Sequence, residues 1–254
     1  MSPKKKPRHM ELLGIDIGGS GIKGATVDLD TGRLTRDRLK ILTPQPATPK
    51  AVAGVVNQLV KHFEWEGPIG CTLPTVVRQG MVHSAANIDK SWVGVDGERL
   101  LRKATGQQVV LLNDADAAGI AEMKFGAGRG RGGVVFILTF GTGIGSGVFV
   151  DGRLHPNTEL GHLEFKGMDA EHYAAARVRE AEKLTYKKWG TRVNEFLEHL
   201  EKVFSPDLFI IGGGVSRKMD RFGEYLTGDT EVVPAKLRNE AGIIGATLVA
   251  RDRL

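Results

Sequence analysis

The sequence predicts an α/β protein of two lobes with a cleft between them. Three features carry that prediction: apolar strands that run into glycine turns, amphipathic helical segments between them, and a strand–turn–strand unit that occurs twice. The first unit starts with the apolar run Leu12 to Ile17, which passes into Gly18-Gly19-Ser20-Gly21. Ile22 to Leu29 reads as the returning strand, and Asp30-Thr31-Gly32 as a turn into a third strand. Thr48-Pro49 pairs a helix cap with a proline suited to the first helical position. Behind it Val52, Val55, Val56, Leu59, Val60 and Phe63 recur at helical spacing. Ile69 to Leu73 and Gln108 to Leu112 read as short buried strands. The second of these leads through Asn113-Asp114 into a helix from about Ala115 to Lys124.

The second half opens like the first. Val134 to Phe140 is an apolar strand ending in Gly141-Thr142-Gly143-Ile144-Gly145, followed by Val148 to Val150 and the turn Asp151-Gly152. One offset places Gly18 on Gly141 and Asp16 on Thr139, as a duplicated domain would. Leu208 to Ile211 runs into a third glycine turn, Gly212-Gly213-Gly214, and helices are expected over 169–183, 188–204 and 239–250. The expected organisation is a disordered basic leader over 1–11, a first lobe over 12–125 and a second over 126–254. The C-terminal helix is free in this scheme to pack back on the first lobe.

Composition narrows the function classes. The chain of 254 residues is 41% hydrophobic and 26% charged, as in ordinary globular proteins. No apolar run is long enough to span a bilayer, and the N-terminus lacks the apolar segment of a secretory signal. Lys4, Lys5, Lys6 and Arg8 supply most of the formal net charge of +5, so the basic balance does not indicate a nucleic-acid-binding fold. The single cysteine, Cys71, cannot form an internal disulfide and reads as a small buried residue in a strand. A cytoplasmic protein with no membrane or nucleic-acid partner is expected.

Glycine turns at strand ends bring backbone N–H groups close to anions, and three such turns point to phosphate. Gly19 to Gly24 also matches the dinucleotide pattern G-x-G-x-x-G, but that motif must open a helix, and Ala25 to Asp30 reads as strand and turn. A Walker A loop would need glycine before Lys23, where Ile22 stands. Asp114, at the end of a strand, has the chemistry to accept a hydroxyl proton. On the residues alone, Asn113-Asp114 reads equally as a helix-capping pair.

Asp16-Ile17-Gly18-Gly19-Ser20-Gly21-Ile22-Lys23-Gly24 resembles the first phosphate loop of the ROK family of bacterial sugar kinases. Gly141-Thr142-Gly143-Ile144-Gly145 resembles its second phosphate loop and Gly212-Gly213-Gly214 its nucleoside loop. The stretches 84–92, 113–119 and 156–164 extend the likeness. The resemblance implies the two-lobed actin-like ATPase/hexokinase (ribonuclease H-like) fold with an interlobe cleft. It implies phosphorylation of the 6-hydroxyl of glucose, and within the family it is strongest toward members that take phosphate from inorganic polyphosphate as well as ATP. It assigns Asp114 as general base, and Asn87, Asn113, Glu159, His162 and Glu171 as sugar contacts. Asp16 then organises Mg²⁺ through water, Lys23 stands near the transferred phosphate, and Thr142 donates to it. Many family members bind zinc through this histidine and a cysteine cluster. No cysteine lies between His162 and Glu171, so no zinc is expected, with His162 held by packing instead. Arg129, Arg131, Lys166, Arg217 and Lys218 flank the glycine loops as candidates for a polyphosphate track.

Mannose as a second acceptor and a homodimer follow from family habit. The rival readings are an ATP-only ROK hexokinase for glucose, mannose or an N-acetyl sugar, an exopolyphosphatase, and a family repressor. The repressors carry a helix-turn-helix ahead of the first loop, where only a short segment stands here.

Overall fold

The structure is a computed structural model that describes residues 10–86 and 88–253. Most of the expected basic leader lies outside the described residues, as does Asn87. Met10 and Glu11, assigned from sequence to the leader, belong to the fold. Glu11 opens the first strand, and the Met10 carbonyl accepts a hydrogen bond from Leu29 N.

The chain divides into two compact units, one running to Leu112 and resuming at Gly242, the other spanning Asn113–Ala241. In the first unit β1 (Glu11–Ile17) and β2 (Ile22–Asp28) form an antiparallel hairpin. The sheet is completed by β3 (Leu39–Ile41), β4 (Ile69–Leu73) and β7 (Val109–Asn113), in the order β3-β2-β1-β4-β7, with β4 parallel to β1. Helices α1 (Pro49–His62) and α2 (Gly97–Thr105) accompany it, with a small hairpin of β5 (Val77–Arg78) and β6 (Met81–Val82). The apolar stripe of α1 is buried, and Thr48 caps its first turn by accepting from Ala51 N. Cys71 is fully buried in β4.

The second unit repeats this sheet. Its hairpin is β8 (Val134–Phe140) with β9 (Ile144–Val150). With β10 (Arg153–His155), β13 (Leu208–Gly212) and β14 (Glu231–Pro234) the order is β10-β9-β8-β13-β14, and β13 runs parallel to both β8 and β14. In each unit the glycine loop is thus the tip of a hairpin whose first strand lies at the centre of the sheet. Helix α3 (Asp114–Phe125) packs on β9 through small residues; a Cβ on Gly119 would stand 2.6 Å from the Phe149 ring. Also in this unit are the hairpin β11 (Glu164–Phe165)/β12 (Met168–Asp169) and helices α4 (Ala170–Ala174), α5 (Ala176–Ala181) and α6 (Tyr186–Phe204).

Helix α7 (Ala241–Arg253) closes the first unit. Gly14 and Gly70 admit its backbone: added Cβ atoms would lie 2.4 Å from Ile243 O and 2.1 Å from Ala246 O. Any other residue at either position would drive the helix off the sheet.

Three expectations about elements are corrected. The strand after Asp30-Thr31-Gly32 shrinks to a bridge between Val27 and Leu34, and β3 starts only at Leu39, because the charged run Arg36-Asp37-Arg38 has no apolar face to bury. The helix expected over 169–183 is broken into α4 and α5 at Ala175, whose ψ of 154° is extended. Beyond the break Arg177 N donates to Gly141 O, outside its own helix. The helix expected from 239 is a 3₁₀ turn over Arg238–Glu240 before α7 begins.

Candidate active site

The first unit contributes the Gly18–Gly21 loop, in which Gly18 N donates to Gly21 O at 3.2 Å. Gly19 and Ser20 at its tip are exposed. Beneath the loop, at the end of β1, Asp16 takes Lys23 Nζ at 3.0 Å on one carboxylate oxygen and Thr72 Oγ1 at 2.8 Å on the other. Cross-strand register sets the ion pair, since Asp16 faces Lys23 in the β1–β2 ladder. A Cβ on Gly242 would stand 3.0 Å from Asp16 Oδ1, so glycine there leaves room for the carboxylate.

Among the described residues no three or more His, Cys, Asp or Glu are grouped to hold a metal. A lone carboxylate with a neighbouring hydroxyl cannot cage an ion, but it suits Mg²⁺, which keeps much of its water and takes other ligands from phosphate.

Asn113 ends β7, opens the second unit and stands at the start of α3. Its Oδ1 accepts from Ala115 N at 2.8 Å and Asp116 N at 3.0 Å, a helix N-cap. Its amide nitrogen donates to Glu159 Oε1 at 3.4 Å. Asp114 is half-buried at the first helical position, and its Oδ1 accepts from Ala115 N at 2.8 Å.

Glu159 and His162 come from the segment after β10, which Ser146 on β9 holds in place. The Ser146 hydroxyl donates to Thr158 O at 2.6 Å and accepts from Leu160 N at 3.0 Å. His162 Nε2 lies 4.0 Å from Glu159 Oε2, while its Nδ1 is 2.9 Å from Asp169 Oδ2. The ring is thus oriented by a carboxylate, not by packing alone as expected from sequence. Glu171, buried in α4, accepts from Ile144 N at 3.3 Å. Burial raises the Glu159 carboxyl above its ordinary range; His162 opposes the shift and Glu171 adds to it. The hydrogen bond to Asp169 raises His162 against the effect of its burial.

Sequence reasoning missed Asp116 and Asp169. Asp116 is buried; its Oδ2 accepts from Asn157 N at 2.8 Å, and Oδ1 has no hydrogen-bond partner among the described residues. It lies in the family-like stretch 113–119, where burial of one acid beside Asn157 could not be read. Asp169 reaches His162 only because β11 and β12 fold back on each other.

The two remaining glycine loops belong to the same unit. Gly141 N donates to Gly143 O at 2.9 Å, with Thr142 exposed between them. Gly212 ends β13, and Gly213, at φ +79°, turns the chain into the 3₁₀ segment beginning at Gly214. A Cβ on Gly213 would lie 2.4 Å from Phe140 O, so the second and third loops press together through glycine. Of the track candidates, Arg131 pairs with Glu231, and Lys166 with Glu195 and Tyr173, whereas Arg129, Arg217 and Lys218 are exposed.

Comparison with known proteins finds relatives along nearly the whole chain. The chain is 54% identical over 239 residues to a polyphosphate glucokinase of Mycobacterium tuberculosis, covering 94% of this chain and 90% of that one. Its fold superposes on the inorganic polyphosphate/ATP-glucomannokinase of an Arthrobacter species with a TM-score of 0.93 at 47% identity, over 96% and 99% of the two chains. A ROK family glucokinase from Streptomyces griseus, crystallised with glucose and AMPPNP, gives 0.82 at 25% identity over 96% and 100%. The ROK family signature itself spans residues 12–177. The fold is accordingly the two-lobed actin-like hexokinase type, and the chain belongs to the ROK family.

Proposed function

We propose that the protein transfers a phosphoryl group from inorganic polyphosphate or ATP to the 6-hydroxyl of glucose, giving glucose 6-phosphate. The observation that carries this reading is the gathering, in one unit, of Asn113, Asp114, Glu159, His162 and Glu171 with the loops at Gly141 and Gly213. Amide, imidazole and carboxylates together offer the donors and acceptors that a polyol needs. The likeness to polyphosphate glucokinases supports the choice of donor and acceptor.

Asp114 accepts the proton of the sugar hydroxyl as its oxygen bonds to phosphorus. The bond from phosphorus to the bridging oxygen breaks, and the shortened polyphosphate, or ADP, leaves. Asn113, Glu159, His162 and Glu171 fix the sugar; Asn87 joins them by family resemblance. By family resemblance, phosphate binding falls to the backbone of Gly18, Gly19, Ser20 and Gly21 in the first unit and of Gly141, Thr142 and Gly143 in the second, and Gly212, Gly213 and Gly214 serve the nucleoside of ATP. Lys23 stands toward the transferred phosphate. When bound, Mg²⁺ supplies charge neutralisation on the donor, held by Asp16 through water. A cytoplasmic location, a homodimer and mannose as a second acceptor complete the proposal. Among the described residues no helix is long and apolar enough to cross a membrane.

The test is incubation with Mg²⁺, each donor and glucose, mannose or N-acetylglucosamine, followed by ³¹P NMR. Glucose 6-phosphate from both donors supports the reading. Product from ATP alone supports the ATP-only hexokinase, and phosphate release without sugar supports an exopolyphosphatase.

A further inference from the structure

Tyr186 opens α6 and is half-buried. Three cations surround its ring: Arg179 Cζ at 4.5 Å from the centroid, Arg221 Cζ at 5.4 Å and Lys218 Nζ at 5.9 Å. Measured through the ring, no two of these charges are more than about 11 Å apart, little more than the Debye length of about 8 Å at physiological salt. An aromatic face holds an exposed cation only weakly and carries no net charge, so the ring does not neutralise the group. Carboxylates do little more. Arg179 approaches Glu180 at 3.8 Å, but that side chain is 74% exposed. Lys218 and Arg221 have no carboxylate partner among the described residues. Elsewhere in the unit, Arg131, Lys166 and Arg192 are paired with Glu231, Glu195 and Glu182.

The position of the cluster gives it meaning. Arg177, also exposed, donates its backbone N–H to Gly141 O at 3.0 Å, so the cations of α5 begin at the second phosphate loop. Trp189 ties the ring to both glycine loops. Its centroid lies 6.5 Å from that of Tyr186, 6.0 Å from Phe140 just before Gly141, and 4.8 Å from Phe222 just after Arg221. Phe140 in turn packs under Gly213. The break at Ala175 serves this arrangement, because a continuous helix would carry Arg177 away from Gly141.

We propose that Arg177, Arg179, Lys218 and Arg221 form a site for the distal phosphates of a polyphosphate chain whose terminal phosphate lies at the Gly141 loop, with Tyr186 as the platform between the cations. The proposal rests on the donor reading above and adds to it the residues that distinguish a long polyanion from ATP. ATP ends after three phosphates in an uncharged nucleoside, which gains nothing from a further run of cations. Every internal phosphate of the longer chain is an anion that does.

The experiment compares wild type with the triple variant Arg179→Gln/Lys218→Gln/Arg221→Gln, with thermal melting as the check on folding. Lys218→Glu alone, at an exposed position, is the second variant. Initial rates with glucose are taken with long-chain polyphosphate, tripolyphosphate and ATP as donors. KM for long-chain polyphosphate should rise at least tenfold in the triple variant and several-fold in the single one, while KM for tripolyphosphate and ATP moves less than about twofold. The salt dependence of the polyphosphate reaction should also flatten, because fewer counterions are released when fewer phosphates are neutralised. An unchanged KM for long-chain polyphosphate, or an equal rise with all three donors, overturns the assignment. A wild-type protein that turns over ATP but neither uses nor binds polyphosphate refutes the donor reading itself, which separates the two failures.

Discussion

Replacing Asp116 with asparagine should make the protein more stable, and by an amount that grows with pH. Burial pushes the Asp116 carboxyl from 3.8 up to about 7; the bond from Asn157 N opposes the shift and Glu159 adds to it. In the unfolded chain the group ionises near 3.9. Below that value it is protonated in both states and contributes nothing to the pH dependence. Between about pH 4 and pH 7 the folded protein holds a proton that the unfolded chain has released, so stability falls as pH rises, and above pH 7 the cost is complete. Each pKa unit is worth about 1.36 kcal/mol, giving a cost on the order of 4 kcal/mol by pH 8. Asparagine matches the carboxyl in size, keeps an oxygen for Asn157 N, and cannot ionise. The stability advantage of Asp116→Asn should therefore widen by about 2–3 kcal/mol between pH 5 and pH 7 and then level off. Urea denaturation of both proteins at pH 5, 6, 7 and 8 measures it. A gap that is constant, or that narrows as pH rises, rules out a buried, proton-holding Asp116.

Three other substitutions have expected outcomes. Gly70→Ala should destabilise the first unit by about 1–3 kcal/mol or more, because the new Cβ meets Ala246 O at 2.1 Å; a lowered Tm reports it. Asp169→Asn should lower the pKa of His162 by removing the largest cause of its elevation, and a ¹H–¹⁵N NMR titration of the ring reads the shift directly. Glu122→Ala should cost several kcal/mol in denaturant unfolding. The buried Glu122 carboxylate accepts from Ala127, Lys236 and Leu237 N, and hydrogen bonds to a charged group are worth about 1.5–3 kcal/mol each.

Periodicity and glycine spacing make the sheets legible from sequence. The hairpins at Gly18 and Gly141 show as apolar runs ending in glycine, and their shared offset shows the repeat that the two matching strand orders display. The break at Ala175 does not show, because alanine favours helix and the break serves a tertiary bond from Arg177 to Gly141. The partition of charges is hidden for the same reason. Lys166 and Lys218 look alike in a sequence, but one meets Glu195 and the other a tyrosine ring. Glu159 and His162 are visible through family resemblance, whereas Asp169 and Asp116, which hold that segment, become visible only once the chain has folded around it.

The proposed chemistry turns on Asp114 taking the proton from the sugar hydroxyl. Steady-state kinetics of Asp114→Asn, with glucose affinity measured separately by calorimetry, isolates that step. With either donor, kcat should fall by about 10²–10⁴-fold at a glucose affinity close to wild type. Turnover near the wild-type rate, with glucose still bound, would remove Asp114 from the proton transfer.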